Sequence, residues 1–138
     1  MKIESWSLGP FETNAYLMTS DDGKSCAVVD APRDAAKTLL PEIKKRGLNL
    51  THILITHGHW DHMCDAHAFA TAGAQVLAHQ DDQQLIENIE AYRNRYQAMM
   101  PFLTEKDFHS CKVSQWLHQN DTFTALGKKF EVRHVPGH

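Results

Sequence analysis

The stretch Leu50-Thr51-His52-Ile53-Leu54-Ile55-Thr56-His57-Gly58-His59-Trp60-Asp61-His62 decides the reading of this chain. Leu50–Thr56 places β-branched residues around an apolar centre and reads as a buried strand. Three imidazoles and a carboxylate follow directly, within the six residues from His57 to His62. Side chains at alternate positions of an extended segment share a face. His57, His59 and Asp61 are therefore expected to point together, with His62 turning in where the backbone bends. Gly58 leaves room for a close approach. Imidazole nitrogen and carboxylate oxygen suit zinc, iron or manganese. Neutral imidazoles can ligate side by side, whereas clustered imidazolium ions repel, so a metal is a reason to gather histidines. Four donors this close do not all reach one ion in good geometry, which allows for two ions. The alternative is a polar loop whose histidines bond only water or backbone. It accounts for one histidine better than for four ligand-type residues at this spacing.

The rest of the chain is expected to build an α/β fold around that strand. Ile3–Leu8 and Thr13–Thr19 read as strands around Gly9-Pro10, and Cys26–Asp30 as a short buried strand after the Asp21-Asp22-Gly23 turn. Ala35, Ala36, Leu39, Leu40 and Ile43 recur at helical spacing after Pro32. Lys44, Lys45 and Arg46 suit the last turn and Gly47 stops it, while Pro41 is positioned to kink or split the helix. A second helix is read over Met63–Ala72 and a strand over Gln75–Ala78. A third helix, capped by Asp81 or Asp82, carries Leu85, Ile86, Ile89, Tyr92 and Tyr96 on one face and ends at Pro101. Phe102–Gln119 shows no assignable pattern. Thr122–Leu126 and Lys128–Val135 read as a hairpin around Gly127, with Phe130, Val132 and His134 on one face. The chain stops just after a strand and turn that nothing then covers. That pattern is expected of the N-terminal part of a longer protein.

Composition narrows the function classes. The 138 residues are 42% hydrophobic and 22% charged, enough to bury a core. Fourteen basic residues against 17 acidic ones give a net charge of −3, which argues against nucleic acid or an anionic membrane as a partner. No apolar run approaches a membrane span, and Met1–Trp6 leads into no signal-peptide core. Cys26, Cys64 and Cys111 make an odd and sparse set, which fits a reducing compartment. A cytoplasmic protein is the expectation.

Thr56-His57-Gly58-His59-Trp60-Asp61-His62 resembles the His-x-His-x-Asp-His signature of the metallo-β-lactamase-fold hydrolases. Leu8-Gly9-Pro10-Phe11-Glu12-Thr13-Asn14-Ala15-Tyr16-Leu17 resembles the opening strands of the glyoxalase II-like branch. Val28-Val29-Asp30 is similar to the strand-end aspartate that the family places beneath its metal site. Phe130–His138 resembles the strand that ends in Pro-Gly-His. The four motifs come in the family's order and span nearly the whole chain. The resemblance implies an αββα sandwich, incomplete here at its C-terminal side. It implies that His57, His59 and His138 hold a first metal and Asp61 and His62 a second. A bridging aspartate and a last histidine would follow residue 138. On its own His138 would read as solvated, aimed off a strand end by Pro136-Gly137; only the resemblance makes it a ligand. Two departures stand out. Met63-Cys64-Asp65 follows His62 where many relatives have glycines, and Ala31-Pro32 follows Asp30 where a glycine is common.

The implied activity is hydrolysis of a thioester or related small acyl compound by a metal-bound hydroxide, with one or two zinc ions, or iron or manganese, as cofactor. Asp61 would also orient the attacking hydroxide. Asp30 and Thr56 are candidates to fix a ligand imidazole or the loop; alternatively Asp30 caps the next helix and Thr56 only continues the strand. A mononuclear iron persulfide dioxygenase, a truncated non-catalytic zinc-binding fragment and an RNA-processing nuclease share parts of the pattern. The acidic charge balance disfavours the last. A weak catalyst or none is expected of these 138 residues alone, because the second site has two ligands. Cys64 reads as a buried thiol rather than a soft ligand. His67 and His79 read as surface or helix-end residues, and His52 as pointing oppositely to Ile53 and Ile55. Trp60 either walls the pocket or packs on the sheet. Arg93, Arg95 and Tyr92 read as a solvated face, with contact to an anionic substrate as the alternative.

Overall fold

A computed structural model describes all 138 residues. Six strands form one sheet in the order β1 to β6: β1 Lys2–Leu8, β2 Thr13–Thr19, β3 Ser25–Val29, β4 Asn49–Ile55, β5 Gln75–His79 and β6 Gln115–Leu117. The first three are antiparallel neighbours and β3 to β6 run parallel. A separate hairpin pairs β7 (Thr122–Ala125) with β8 (Lys128–Glu131).

Alternation along the strands sorts side chains to two cores. Ala15 and Leu17 of β2, Val28 of β3 and Ile53 and Ile55 of β4 face the main core. There they meet Leu39 and Ile43 of α1 (Ala35–Lys45) and Phe69 of α3 (Ala66–Thr71). Met18, Ala27 and Leu54 face the opposite way, onto Ala125, Leu126 and Phe130 of the hairpin. His52 lies on that hairpin side, opposite to Ile53 and Ile55 as its register requires, and lines a cleft with Leu126. Helices, large sheet and hairpin are three of the four layers of an αββα sandwich.

The elements differ from their expected bounds where tertiary contacts intervene. Helix α1 runs unbroken through Pro41. Pro41 and Lys37, whose carbonyl loses its helical partner, are both exposed, so water can satisfy that carbonyl. Gly47 at φ 65° closes the helix, with Leu48 N–H donating to the Ile43 carbonyl. Asp30 does not cap α1. Its N-terminal cap comes from outside, Asp65 Oδ2 accepting from Ala36 N–H at 2.9 Å.

Asp65 also splits the expected Met63–Ala72 helix. Its own N–H bonds the Ala31 carbonyl, so the chain forms α2 (Trp60–Met63) and then α3. The expected third helix breaks into a 3-10 turn (Gln80–Asp82), α4 (Gln83–Glu87), another 3-10 turn (Ile89–Tyr92) and α5 (Arg93–Met99). His79, rather than Asp81 or Asp82, caps the first turn. The break at Asn88 coincides with bonds to the strap 110–113: Ile86 O accepts from Cys111 N–H, and the Glu87 and Glu90 carboxylates accept from Val113 N–H and Ser110 N–H. The unassigned segment ends in β6, an edge strand of three residues. β8 ends at Glu131, not Val135, and the following segment leaves the hairpin to reach the carboxyl ends of the parallel strands.

Candidate metal centre

Parallel strands collect chemistry at their carboxyl ends, where chain leaves the sheet and backbone groups lose ladder partners. Asp30 follows β3, Thr56 and His57 follow β4, His79 ends β5 and His118 follows β6. The extended backbone continues to His59 (φ −65°, ψ 143°) and then coils into α2. Asp61 therefore does not share a strand face with His57 and His59, as alternation predicted. It enters with His62 on the first helical turn. The turn forms here because Trp60 is buried, its indole N–H donating to the Asp107 carbonyl at 2.7 Å. That settles Trp60 as a packed residue whose edge also borders an apolar cleft.

His57, His59 and His138 come together with one ligand atom of each within 4.8 Å of the others. Their ring centroids are 4.7 to 4.9 Å apart. His62 lies on the other side of His57, with ring centroids 4.1 Å apart, and its Nε2 is 3.6 Å from Asp61 Oδ2. All five residues singled out in the sequence thus meet at one place.

Asp30 organises the base of this cluster. It is buried, in the left-handed region at φ 57°. Its Oδ1 accepts from Thr56 N–H at 2.8 Å; its Oδ2 accepts from Thr56 Oγ1–H at 2.8 Å and from His62 Nδ1–H at 2.7 Å. Thr56 Oγ1 in turn lies 3.1 Å from His57 Nδ1. Its proton is committed to Asp30, so it accepts from His57 Nδ1–H. Both imidazoles are thereby held with Nδ1 protonated and Nε2 free. His57 Nε2 is buried and has no hydrogen-bond partner. A buried, unpartnered ring nitrogen on a histidine whose ligand atom lies within 4.8 Å of those of two others fits a cation. Burial first, and then neighbouring His62 and His59, hold the His57 pKa below the ordinary imidazole value. The Asp30 hydrogen bond raises that of His62.

Three contributors have no metal-site role that the sequence suggests. Thr13 Oγ1–H donates to Asp61 Oδ2 at 2.8 Å and aims that carboxylate. His134 stacks on His79 at 3.8 Å and so ties the segment carrying His138 to the end of β5. Asp81 completes a second histidine–carboxylate group with this pair, on the cleft that His57, His59 and His138 also line. Thr13 lay inside a quoted motif, but only the β2–α2 approach gives it a partner. Cys64 is buried, its thiol pushed up by burial and by Asp65 and Asp107, and is not among the clustered donors. His67 pairs with His109 away from the cluster.

Residues 8–138 match the sequence pattern of the Metallo-beta-lactamase superfamily. The chain belongs to that superfamily. Among curated relatives, the hydroxyacylglutathione hydrolase GloC of Haemophilus influenzae is 30% identical over all of this chain and 62% of its own length. A hydroxyacylglutathione hydrolase of Ruegeria pomeroyi is 28% identical over 90% of this chain and 39% of its own. Among solved structures, the BLEG-1 B3 metallo-beta-lactamase superposes with a TM-score of 0.77 at 28% identity, covering 99% of this chain and 62% of that one. TTHA1623, solved in a di-iron-bound form, gives 0.72 at 26% identity over 97% and 61%. This superfamily member thus spans less than two thirds of the length of these relatives. No helix in it is long and apolar enough to cross a membrane.

Proposed function

We propose that the chain is the metal-holding part of a hydrolase that cleaves a thioester or related acyl compound. The observation that carries this is the buried, unpartnered Nε2 of His57, one of three histidines with ligand atoms within 4.8 Å. His57, His59 and His138 would hold one ion, zinc in our reading, and Asp61 and His62 would contribute to a second. A bound ion of this kind supplies a Lewis acid that brings the pKa of water from 15.7 to about 7 and polarises a carbonyl.

The chain's own side chains do the rest. Thr56 and Asp30 hold the ring orientation of His57 and His62. Asp61, itself steadied by Thr13, orients the attacking water. Hydrolysis joins the water oxygen to the carbonyl carbon and breaks the carbon–sulfur bond, leaving a carboxylic acid and a thiol. The names of the two hydroxyacylglutathione hydrolases support a thioester over other acyl compounds. Metal analysis of the purified chain, beside His57→Ala and His138→Ala, tests the reading. We expect about one ion per chain or more, lost in both variants. A folded chain without metal overturns it. Iron in place of zinc, with hydrolysis absent, would favour the oxygenase class.

A further inference from the structure

The site has a second, apolar approach. A cleft of about 370 Å³ opens between α5 and the His59–Asp61 turn. Its walls are Phe11, Trp60, Tyr92, Tyr96, Met99 and Met100, and His59 and Asp61 form its inner end. Two of these, Phe11 and Met99, are exposed at 51% and 70%, with Phe102 beside Phe11 at 47%. A cluster of exposed large apolar side chains next to a polar centre marks a ligand groove. The only cation on the cleft is Arg95. Its neighbour Arg93 pairs with Glu105, whereas Arg95 pairs with no carboxylate.

We propose that this cleft seats the acyl arm of the substrate, a hydrocarbon chain of several carbons whose far end carries a carboxylate for Arg95. The proposal rests on the hydrolase reading for the reaction, but not for the binding. The continuity of the cleft with His59 and Asp61 puts one end of a bound chain at the candidate metal centre. The side chains of Phe11, Trp60, Leu85, Met99 and Met100 favour methylene groups, which bury apolar surface against them, over a short hydroxyacyl group that reaches few of them. An unpaired guanidinium at an apolar wall is complementary to a carboxylate, which it binds in bidentate fashion. Tyr92 and Arg95, which the sequence placed on a solvated face, therefore become specificity residues.

Two readouts test this. The chain has five methionines, and [13C]methyl-methionine NMR reports on Met99 and Met100 separately from Met1, Met18 and Met63. Adipate monoamide, added without metal, is expected to shift Met99 and Met100 only, and Arg95→Gln is expected to weaken its binding about tenfold. For turnover, lactoyl, hexanoyl and adipyl thioesters of N-acetylcysteamine are compared. We expect kcat/KM to rise at least about tenfold from lactoyl to hexanoyl and again to adipyl. Arg95→Gln should remove the second gain only, and Met99→Ser should reduce the first; both side chains are exposed, so neither change disturbs the core. Methionine shifts in a folded chain that binds no metal would uphold the cleft and sink the hydrolase reading. Hydrolysis with no chain-length or charge preference, and no shift at Met99 or Met100, would overturn the cleft and leave the hydrolase reading standing.

Discussion

Asp30 is the residue on which the candidate metal centre turns, and its chemistry is that of a short acid at a strand end. At φ 57° it needs a residue that tolerates the left-handed region, as Asp and Asn do. Three donors then converge on its two oxygens: the Thr56 amide, the Thr56 hydroxyl and His62 Nδ1–H. Asp30→Asn keeps the backbone conformation and the size but offers one acceptor oxygen and an NH2 to those donors. We expect it to weaken metal binding about 10- to 100-fold, because His62 and His57 lose their fixed tautomers. Stability should fall by about 1–3 kcal/mol for an unsatisfied buried donor. Chelator-competition titration and denaturant unfolding measure the two effects, and wild-type affinity in the variant would refute the orienting role. The sequence marked Asp30 as a candidate and left helix capping as the alternative. The structure decides between them, because the capping position at α1 is filled by Asp65.

At the scale of elements, the signature loop works because a strand, a loop and a helix approach very closely. A Cβ on Gly58 would lie 2.7 Å from the Leu85 Cβ of α4 and 3.2 Å from the Asp82 Cβ. Neither neighbour is the end of a flexible side chain, so Gly58→Ala must move the 80–87 segment or the loop. We expect a destabilisation of about 1–3 kcal/mol, as for overpacking, together with weaker metal binding because His57 and His59 flank the displaced residue. Thermal unfolding with and without metal measures both. An unchanged melting temperature would show that the segment yields freely. The sequence reading anticipated a close approach at Gly58 but not its partner, since a contact between residues 58 and 85 has no local signature. The same limit explains the misread third helix. Its apolar face was legible from Leu85 to Tyr96, yet the strap 110–113 takes the Ile86 carbonyl, which a continuous helix would have used, and is held beside it by the Glu87 and Glu90 carboxylates.

Across the whole molecule, three free thiols report on how closed the fold is. Cys26, Cys64 and Cys111 are all buried. Burial pushes Cys26 and Cys111 up to about 11, and Cys64 is raised by burial with Asp65 and Asp107 nearby. At pH 8 a thiol of pKa about 11 is roughly one part in a thousand thiolate, and access is blocked as well. A disulfide-exchange reagent should therefore titrate no thiol in the folded chain and three in denaturant. One fast-reacting thiol in the folded chain would contradict the packing described. The same shift fixes the sign of an alkaline effect. The folded state keeps these protons to higher pH than the unfolded chain. Their contribution is therefore present in full below about pH 9 and lost as pH rises from there through about 11. Melting temperature should decline across that window, and a rise would reverse the argument.

Local pattern was enough for the strands at the centre of the sheet, for α1 and for the run of four ligand-type residues His57, His59, Asp61 and His62. Each of these depends on period, turn chemistry or the short spacing of ligand-type residues, all of which are written within a few residues. The convergence of His138 on His57 and His59 was not written that way. It rested on a resemblance, and the fold supplies the physical cause: backbone pairing along the hairpin ends with the Val132 bonds to Asn120 and Asp121, and His134 stacks on His79 to steer the last residues to the strand ends. Thr13 on Asp61, Leu85 against Gly58 and the apolar cleft under α5 are likewise products of tertiary packing. Residues far apart in the chain meet only after the sheet has ordered its strands, and no periodicity encodes which of them will touch.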